Sequence, residues 1–167
     1  EPLTLTDEVV ERIGAAFAVW LEKQCGKPAP RISVGRDSRL SGERMRDAVI
    51  RGLTRAGAQV LECGLCSTPA MFMTTVDLGC DGAVQITASH HPWQRNGLKF
   101  FRPSGGLESE DISALLETAE QNIPVSPAAP GTVTATEYMP RYAAHLRRMI
   151  CDGLNAAEAD RPLTGLH

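Results

Sequence analysis

Three short apolar runs alternate with two helix-patterned segments between residues 31 and 87, and this alternation constrains the fold more than any other feature. Arg31-Ile32-Ser33-Val34 reads as a short buried strand that ends in the loop Gly35-Arg36-Asp37-Ser38-Arg39. Ser41 then suits a helix N-cap. Met45, Ala48, Val49, Gly52, Leu53 and Ala56 form the inner stripe of that helix, and Gly57 stops it. A strand from Ala58 to Cys63 follows at once. The next helix starts around Thr68-Pro69, where proline suits a first turn, and runs to about Gly79. Gly82 to Thr87 makes a third strand. Repeated βα units of this kind require helices packed on a sheet. Leu98-Lys99-Phe100-Phe101 reads as a fourth strand, about ten residues on, which is short for a parallel crossover. The expected fold is therefore α/β, a layered domain with a mixed, mostly parallel sheet of about four strands packed between helices.

The flanks extend this plan. Thr6 can cap a helix whose apolar face is Val9, Ile13, Phe17, Trp20 and Leu21, with Asp7 and Glu8 at its positive end. It should stop near Gly26, ahead of Pro28 and Pro30, and Phe17 and Trp20 should be core. Ile112, Leu115, Leu116 and Ala119 mark a further helix. Residues 122–136, rich in Pro, Ala, Ser and Thr, read as a connector. Tyr138, Tyr142, Leu146, Met149 and Ile150 mark a terminal helix, on which His145 beside Arg147 and Arg148 reads as a solvated face. The expected division is a domain at 1–121, the connector at 122–136, and a linking helix with a lead-in to a further domain at 137–167.

Composition excludes some functions. The 167 residues hold 43% hydrophobic and 22% charged residues, ordinary for a globular chain. The net charge of −3 argues against nucleic acid as a partner, and no apolar run reaches the roughly 20 residues a membrane span requires. Five scattered cysteines do not form a disulfide framework, which fits a reducing, intracellular compartment. Cys63-Gly-Leu-Cys66 is the one close pair. It leaves open a thiol redox or metal module, although a structural zinc site needs a second pair. The opening Glu1-Pro2, without an initiator Met, suggests a processed product or an excised piece.

The densest polar cluster is Thr87-Ala88-Ser89-His90-His91-Pro92, directly after an apolar strand, where α/β sheets usually contact ligands. A serine there can carry or transfer a phosphoryl group, with His90, His91, Arg95 and Lys99 close by to offset the charge. The same residue types are also common in turns, so the local pattern admits a purely structural reading. Metal ligation by His90 and His91 is disfavoured, because neighbours in an extended loop point apart.

Taken together with Asn96-Gly97-Leu98-Lys99-Phe100, this cluster resembles the active-serine signature of the α-D-phosphohexomutases, which usually reads T-A-S-H-N-P followed by N-G-x-K. Val34-Gly35-Arg36-Asp37-Ser38-Arg39 is similar to the family's V-G-R-D-x-R strand end. Gly64-Leu65-Cys66-Ser67-Thr68-Pro69 is similar to its G-x-x-x-T-P turn. Three motifs in the family's order cover most of residues 31–102.

The resemblance implies a four-domain enzyme of which this chain is the first domain plus the connecting helix, inactive in isolation. Ser89 would hold the phosphoryl group, His90 would orient the loop, and Lys99 would assist proton transfer at the sugar hydroxyl. Phospho-Ser89 would donate to a hexose phosphate and recover a phosphoryl group from the bisphosphate intermediate. Hexose 1,6-bisphosphate is thus the implied activator. The phosphate of Ser89 would be one ligand of a Mg²⁺ ion whose other ligands lie in the second domain. Asn96 and His91 would face the substrate. Arg36 and Arg39 are candidate phosphate ligands for which a local role, such as an ion pair with Asp37 or a cap on the next helix, is at least as good a reading. His91 departs from the usual Asn, and a bulkier, titratable group there leaves open a non-catalytic phosphosugar-binding or scaffold relative. Arg95 to Phe101 with Gly105-Gly106-Leu107 is similar to plastid members, placing the protein in the cytoplasm or the plastid stroma.

Overall fold

The computed structural model describes residues 4–121, 129–157 and 161–165. Eleven elements follow one another: α1 (Asp7–Cys25), β1 (Arg31–Arg36), α2 (Gly42–Arg55), β2 (Gln59–Leu65), α3 (Thr68–Asp77), β3 (Gly82–Ile86), β4 (Leu98–Arg102), β5 (Gly105–Gly106), α4 (Ser109–Gln121), β6 (Thr132–Ala135) and α5 (Met139–Gly153). The sheet runs β5-β4-β3-β1-β2-β6. β3, β1, β2 and β6 are mutually parallel; β4 runs antiparallel to β3, and β5 antiparallel to β4. The α/β class and the mixed, mostly parallel sheet agree with the sequence pattern. The short connection into β4 leaves no room for a crossover helix, so that strand turns back on β3.

Local chemistry sets the element ends. Thr6 accepts a hydrogen bond from the Val9 amide at 3.3 Å, and α1 closes at Gly26, whose φ of 67° is the left-handed conformation glycine adopts without strain. Ser67 caps α3 through the Ala70 amide, with Pro69 in its first turn. Ser41 precedes α2, but its side chain makes no capping bond.

The strands alternate between two cores. Ile32, Val34, Val84, Ile86 and Phe100 join α1, α2 and α4 through Phe17, Leu21, Met45, Leu53 and Leu115. Phe17 is fully buried, which contributes on the order of 2–3 kcal/mol, and its ring meets Phe100 with centroids 4.7 Å apart. On the opposite face, Ala83 and Cys63 pack under α3 and α5 against Met71, Tyr138 and Tyr142. There the Ser33 and Thr74 hydroxyls pair at 2.5 Å, and Tyr138 donates to Asp77 at 2.6 Å, tying α5 to α3.

Two strands exceed the expected four. β5 is a pair of glycines beside β4. β6 lies within 122–136, the segment read as connector, and pairs with β2 from Gln59↔Thr132 to Glu62↔Ala135. Residues 122–128 of that segment lie outside the described residues. All four β6 residues are exposed, so the segment carries no buried alternation to read.

Candidate functional site

The parallel strands β1 and β3 are neighbours, and the loops leaving their carboxyl ends meet. The Asp37 amide donates to the Ile86 carbonyl at 3.0 Å, which continues the β1–β3 pairing into the β1–α2 loop. The serine loop, residues 87–97, begins and ends at one point, where the Thr87 amide donates to the Gly97 carbonyl at 3.0 Å. Asn96 secures this neck. Its side-chain oxygen accepts from the Gly97 amide at 2.9 Å, and its side-chain nitrogen donates to the Ser41 hydroxyl at 3.0 Å. Both ends of the Asn96 amide are thus engaged within the chain, and Ser41 serves as a tether where a helix cap was expected.

Ser89 stands exposed at the turn of this loop with φ of 53°, a left-handed conformation that non-glycine residues seldom adopt. Its amide donates to the buried Thr87 hydroxyl at 2.9 Å, and its own hydroxyl lies 3.5 Å from His90 Nδ1, at the outer edge of hydrogen bonding. The His90 and His91 rings stack with centroids 5.2 Å apart and planes 21° off parallel. The expectation that these neighbours point apart is therefore corrected. The His91 amide closes a turn onto the Ala88 carbonyl, so the chain there is bent and not extended. Trp93 is exposed further along the same loop.

Lys99 lies exposed on β4 opposite Gln85 of β3, and no ion pair holds it among the described residues. Arg36 takes a local role. It pairs with Glu43 in the first turn of α2 at 2.8 Å and donates to the Asp37 carbonyl, leaving its buried Nε without a partner. The Asp37 carboxylate goes to Arg39, at 3.1 Å. The remaining Arg39 donors reach the serine loop, meeting the carbonyls of Ser89, His91, Pro92 and Arg95 at 2.7–2.8 Å. Sequence reading raised Arg39 as a phosphate ligand or, at least as well, as an ion-pair partner of Asp37, and the ion pair is present. Nothing in the local pattern indicated a hold on a loop 50 residues away.

Residues 1–124 match the family described as phosphoglucomutase/phosphomannomutase, alpha/beta/alpha domain I. The chain belongs to this family, as its domain I. A solved phosphoglucomutase/phosphomannomutase family protein from Burkholderia thailandensis superposes with a TM-score of 0.75 at 25% identity, covering 87% of this chain and 32% of that one. Phosphoglucosamine mutases of Lactobacillus delbrueckii subsp. bulgaricus and Listeria welshimeri are 38% and 36% identical over 80% and 90% of the chain. The chain spans 31% and 35% of the length of these two relatives. It thus matches about a third of a phosphohexomutase polypeptide.

The thiols of this domain I are poorly suited to redox chemistry. Burial pushes Cys63 up to about 12 and Cys66 up to about 11, whereas the reactive species is the thiolate. Among the described residues no three His, Cys, Asp or Glu side chains come together as a metal site. No helix among them is long and apolar enough to cross a membrane.

The raised thiols also predict an alkaline weakness. Their folded values exceed the ordinary thiol value near 8.5, so the stability they favour is complete below about pH 8.5 and is lost as pH rises toward their folded values. Each is expected to remove up to about 1.4 kcal/mol per pH unit across that window. Urea unfolding at pH 8, 9 and 10 should show the fall, and Cys63→Ala should flatten it. Parallel curves for parent and variant would exclude Cys63 as a cause.

Proposed function

We propose that this domain supplies the phosphoryl-carrying serine of a phosphohexomutase that interconverts hexose 1-phosphates and hexose 6-phosphates. The observation that carries the reading is Ser89, exposed in a strained left-handed conformation on a closed loop at the carboxyl end of the parallel strands. Arg95 and Lys99 bring positive charge to the surrounding sequence, with His90 and His91 as further ring-nitrogen groups beside the serine, as suits a loop bearing a phosphate dianion.

In this reading the Oγ–P bond of phospho-Ser89 breaks as a sugar hydroxyl oxygen forms its bond to the same phosphorus. The hydroxyl proton passes to a base, for which Lys99 is the candidate. The hexose bisphosphate then presents its other phosphate: that sugar O–P bond breaks as Ser89 Oγ forms its bond to the same phosphorus, and the base returns its proton to the freed sugar oxygen, leaving the isomeric monophosphate. His90 steadies the serine, and His91 and Asn96 shape the loop that faces the sugar. A Mg²⁺ ion, when bound, would neutralise charge on the transferring group. Phospho-Ser89 is the ligand proposed from this domain; among the described residues no three His, Cys, Asp or Glu side chains form a cluster of their own.

The matched relatives are named phosphoglucosamine mutases, so glucosamine phosphates are the first substrates to try, with glucose and mannose phosphates beside them. The rest of the sugar site belongs to further domains of the same polypeptide, and domain I alone is expected to be inactive. The compartment proposed is intracellular, in keeping with five free cysteines.

The test is to incubate the full-length polypeptide with Mg²⁺ and glucose or glucosamine 1,6-bisphosphate and to map phosphate by peptide mass spectrometry. Phosphate on Ser89 supports the reading. An unmodified Ser89 with every hexose bisphosphate would overturn it in favour of a non-catalytic relative, and His91→Asn would then show whether the departure from the family loop is responsible.

A further inference from the structure

Arg39 has all five of its N–H donors engaged, and its side chain is only 10% exposed. Nε binds Asp37 Oδ2. One terminal nitrogen binds the Pro92 and Arg95 carbonyls, and the other binds those of Ser89 and His91. Four carbonyl oxygens of one loop therefore converge on a single point. Their partial negative charges repel one another, so a cation at the centre is what makes the arrangement favourable. Among the described residues, the other main-chain bonds of the loop are local turns, from the His91 amide to Ala88 and from the Arg95 amide to Pro92, or close its neck, from the Thr87 amide to Gly97.

Peptide geometry adds a consequence on the opposite side. In a trans peptide the N–H points away from the C=O, and this chain has no cis bonds among the described residues. With the Ser89 and Pro92 carbonyls turned toward Arg39, the His90 and Trp93 amides turn away from it. Neither donates to a protein acceptor among the described residues. Outward amides of this kind favour an anion.

We infer that Arg39 is the positioning residue of the phosphoryl-carrying serine: it holds residues 89–95 so that Ser89 stays exposed in its left-handed conformation with the His90 amide directed outward, and it does so without touching substrate. Asp37 aims the guanidinium in turn, through Oδ2 to Nε and through Oδ1 to the Arg39 amide at 3.1 Å. Lysine cannot substitute, because three donors on a point charge cannot span four carbonyls and a carboxylate. The inference rests on the phosphohexomutase reading for its effect on catalysis, and on the loop geometry alone for its effect on the loop.

The experiment compares Arg39→Lys and Arg39→Ala with the parent in the full-length polypeptide. Arg39→Lys is expected to lower kcat about 100-fold, the scale set by displacing a reacting group by about 1 Å, and to leave KM for the hexose phosphate within about threefold. Ser89 phosphorylation by the bisphosphate should slow in parallel. Amide hydrogen exchange should quicken across residues 88–96 and stay unchanged in β1, β3 and α2. Guanidinium ion at non-denaturing concentration should restore part of the Arg39→Ala rate. A kcat within threefold of the parent, or a loss carried wholly by KM, would overturn the assignment, the second outcome making Arg39 a substrate ligand. If Arg39→Ala does not fold, Arg39→Lys carries the test. If the parent itself takes no phosphate on Ser89, the functional reading fails, while unchanged exchange of the loop in Arg39→Lys would separately refute the hold by Arg39.

Discussion

Ser89→Gly is expected to abolish phosphoryl transfer and yet to leave the protein about 1 kcal/mol more stable than Ser89→Ala. The two effects arise from different parts of the residue. In the proposed mechanism, removing Oγ removes the atom that would accept and donate the phosphoryl group, and no other hydroxyl is placed on this loop beyond Thr87, which is buried and bound to the Ser89 amide. Turnover should fall by at least about 10⁴-fold, as when a covalent nucleophile is deleted. The backbone effect comes from φ of 53°, where a Cβ is strained and glycine is not. Glycine also loosens the unfolded chain, which offsets part of the gain and holds the difference near 1 kcal/mol. Activity assays and urea unfolding of the parent and both variants decide the matter. Residual turnover above a thousandth of the parent would exclude Ser89 as the phosphoryl carrier. Equal stability of the Gly and Ala variants would mean that the conformation at this position is not strained.

The largest stability effect is expected at a position far from the loop. A Cβ added to Gly52 would stand 2.1 Å from the Glu11 carbonyl oxygen and 2.8 Å from the Ala15 nitrogen, both main-chain atoms of α1. The reverse approach is nearly as close, since a Cβ on Gly14 would stand 2.8 Å from the Val49 carbonyl oxygen. Main-chain atoms cannot rotate out of the way, so Gly52→Ala must push α2 off α1 and open the core around Val10, Ala48, Val49 and Leu53. The expected loss is about 3 kcal/mol, the upper part of the range for overpacking, although alanine is the better helix former. Gly26→Ala is the control. A Cβ there meets nothing within 4 Å but sits at φ of 67°, so about 1 kcal/mol is expected. A Gly52→Ala loss no larger than that of Gly26→Ala would show that the two helices can separate at little cost.

The helices and central strands were legible because each carries a periodic signal with one buried face. Thr6, Gly26, Ser67 and Pro69 also mark their element ends locally, by chemistry within a turn of the boundary. β5 and β6 carry no such signal. One consists of two glycines, and the other is exposed at all four residues and gains its strand character from β2 alone. Gly52 belonged visibly to the inner stripe of α2, but the reason it lacks a side chain lies on α1.

At the site, sequence and tertiary structure divide along the same line. The residue types after β3 admitted both a catalytic and a purely structural reading of Ser89, and the resemblance to the phosphohexomutase signature is what singled it out; its exposure on a loop of eleven residues that closes on its own neck came from the structure. Which side chains face outward was not a local matter. Asn96 reaches Ser41, Arg36 turns to Glu43, and Arg39 crosses 50 or more residues of sequence to gather four carbonyls. The motif around Ser89 is legible in one dimension as a family resemblance, because its residues are neighbours in the chain. The carbonyl partners of Arg39 are decided only when the sheet brings β1 beside β3, since a guanidinium pairs with whatever acceptors the fold places within about 3 Å of it.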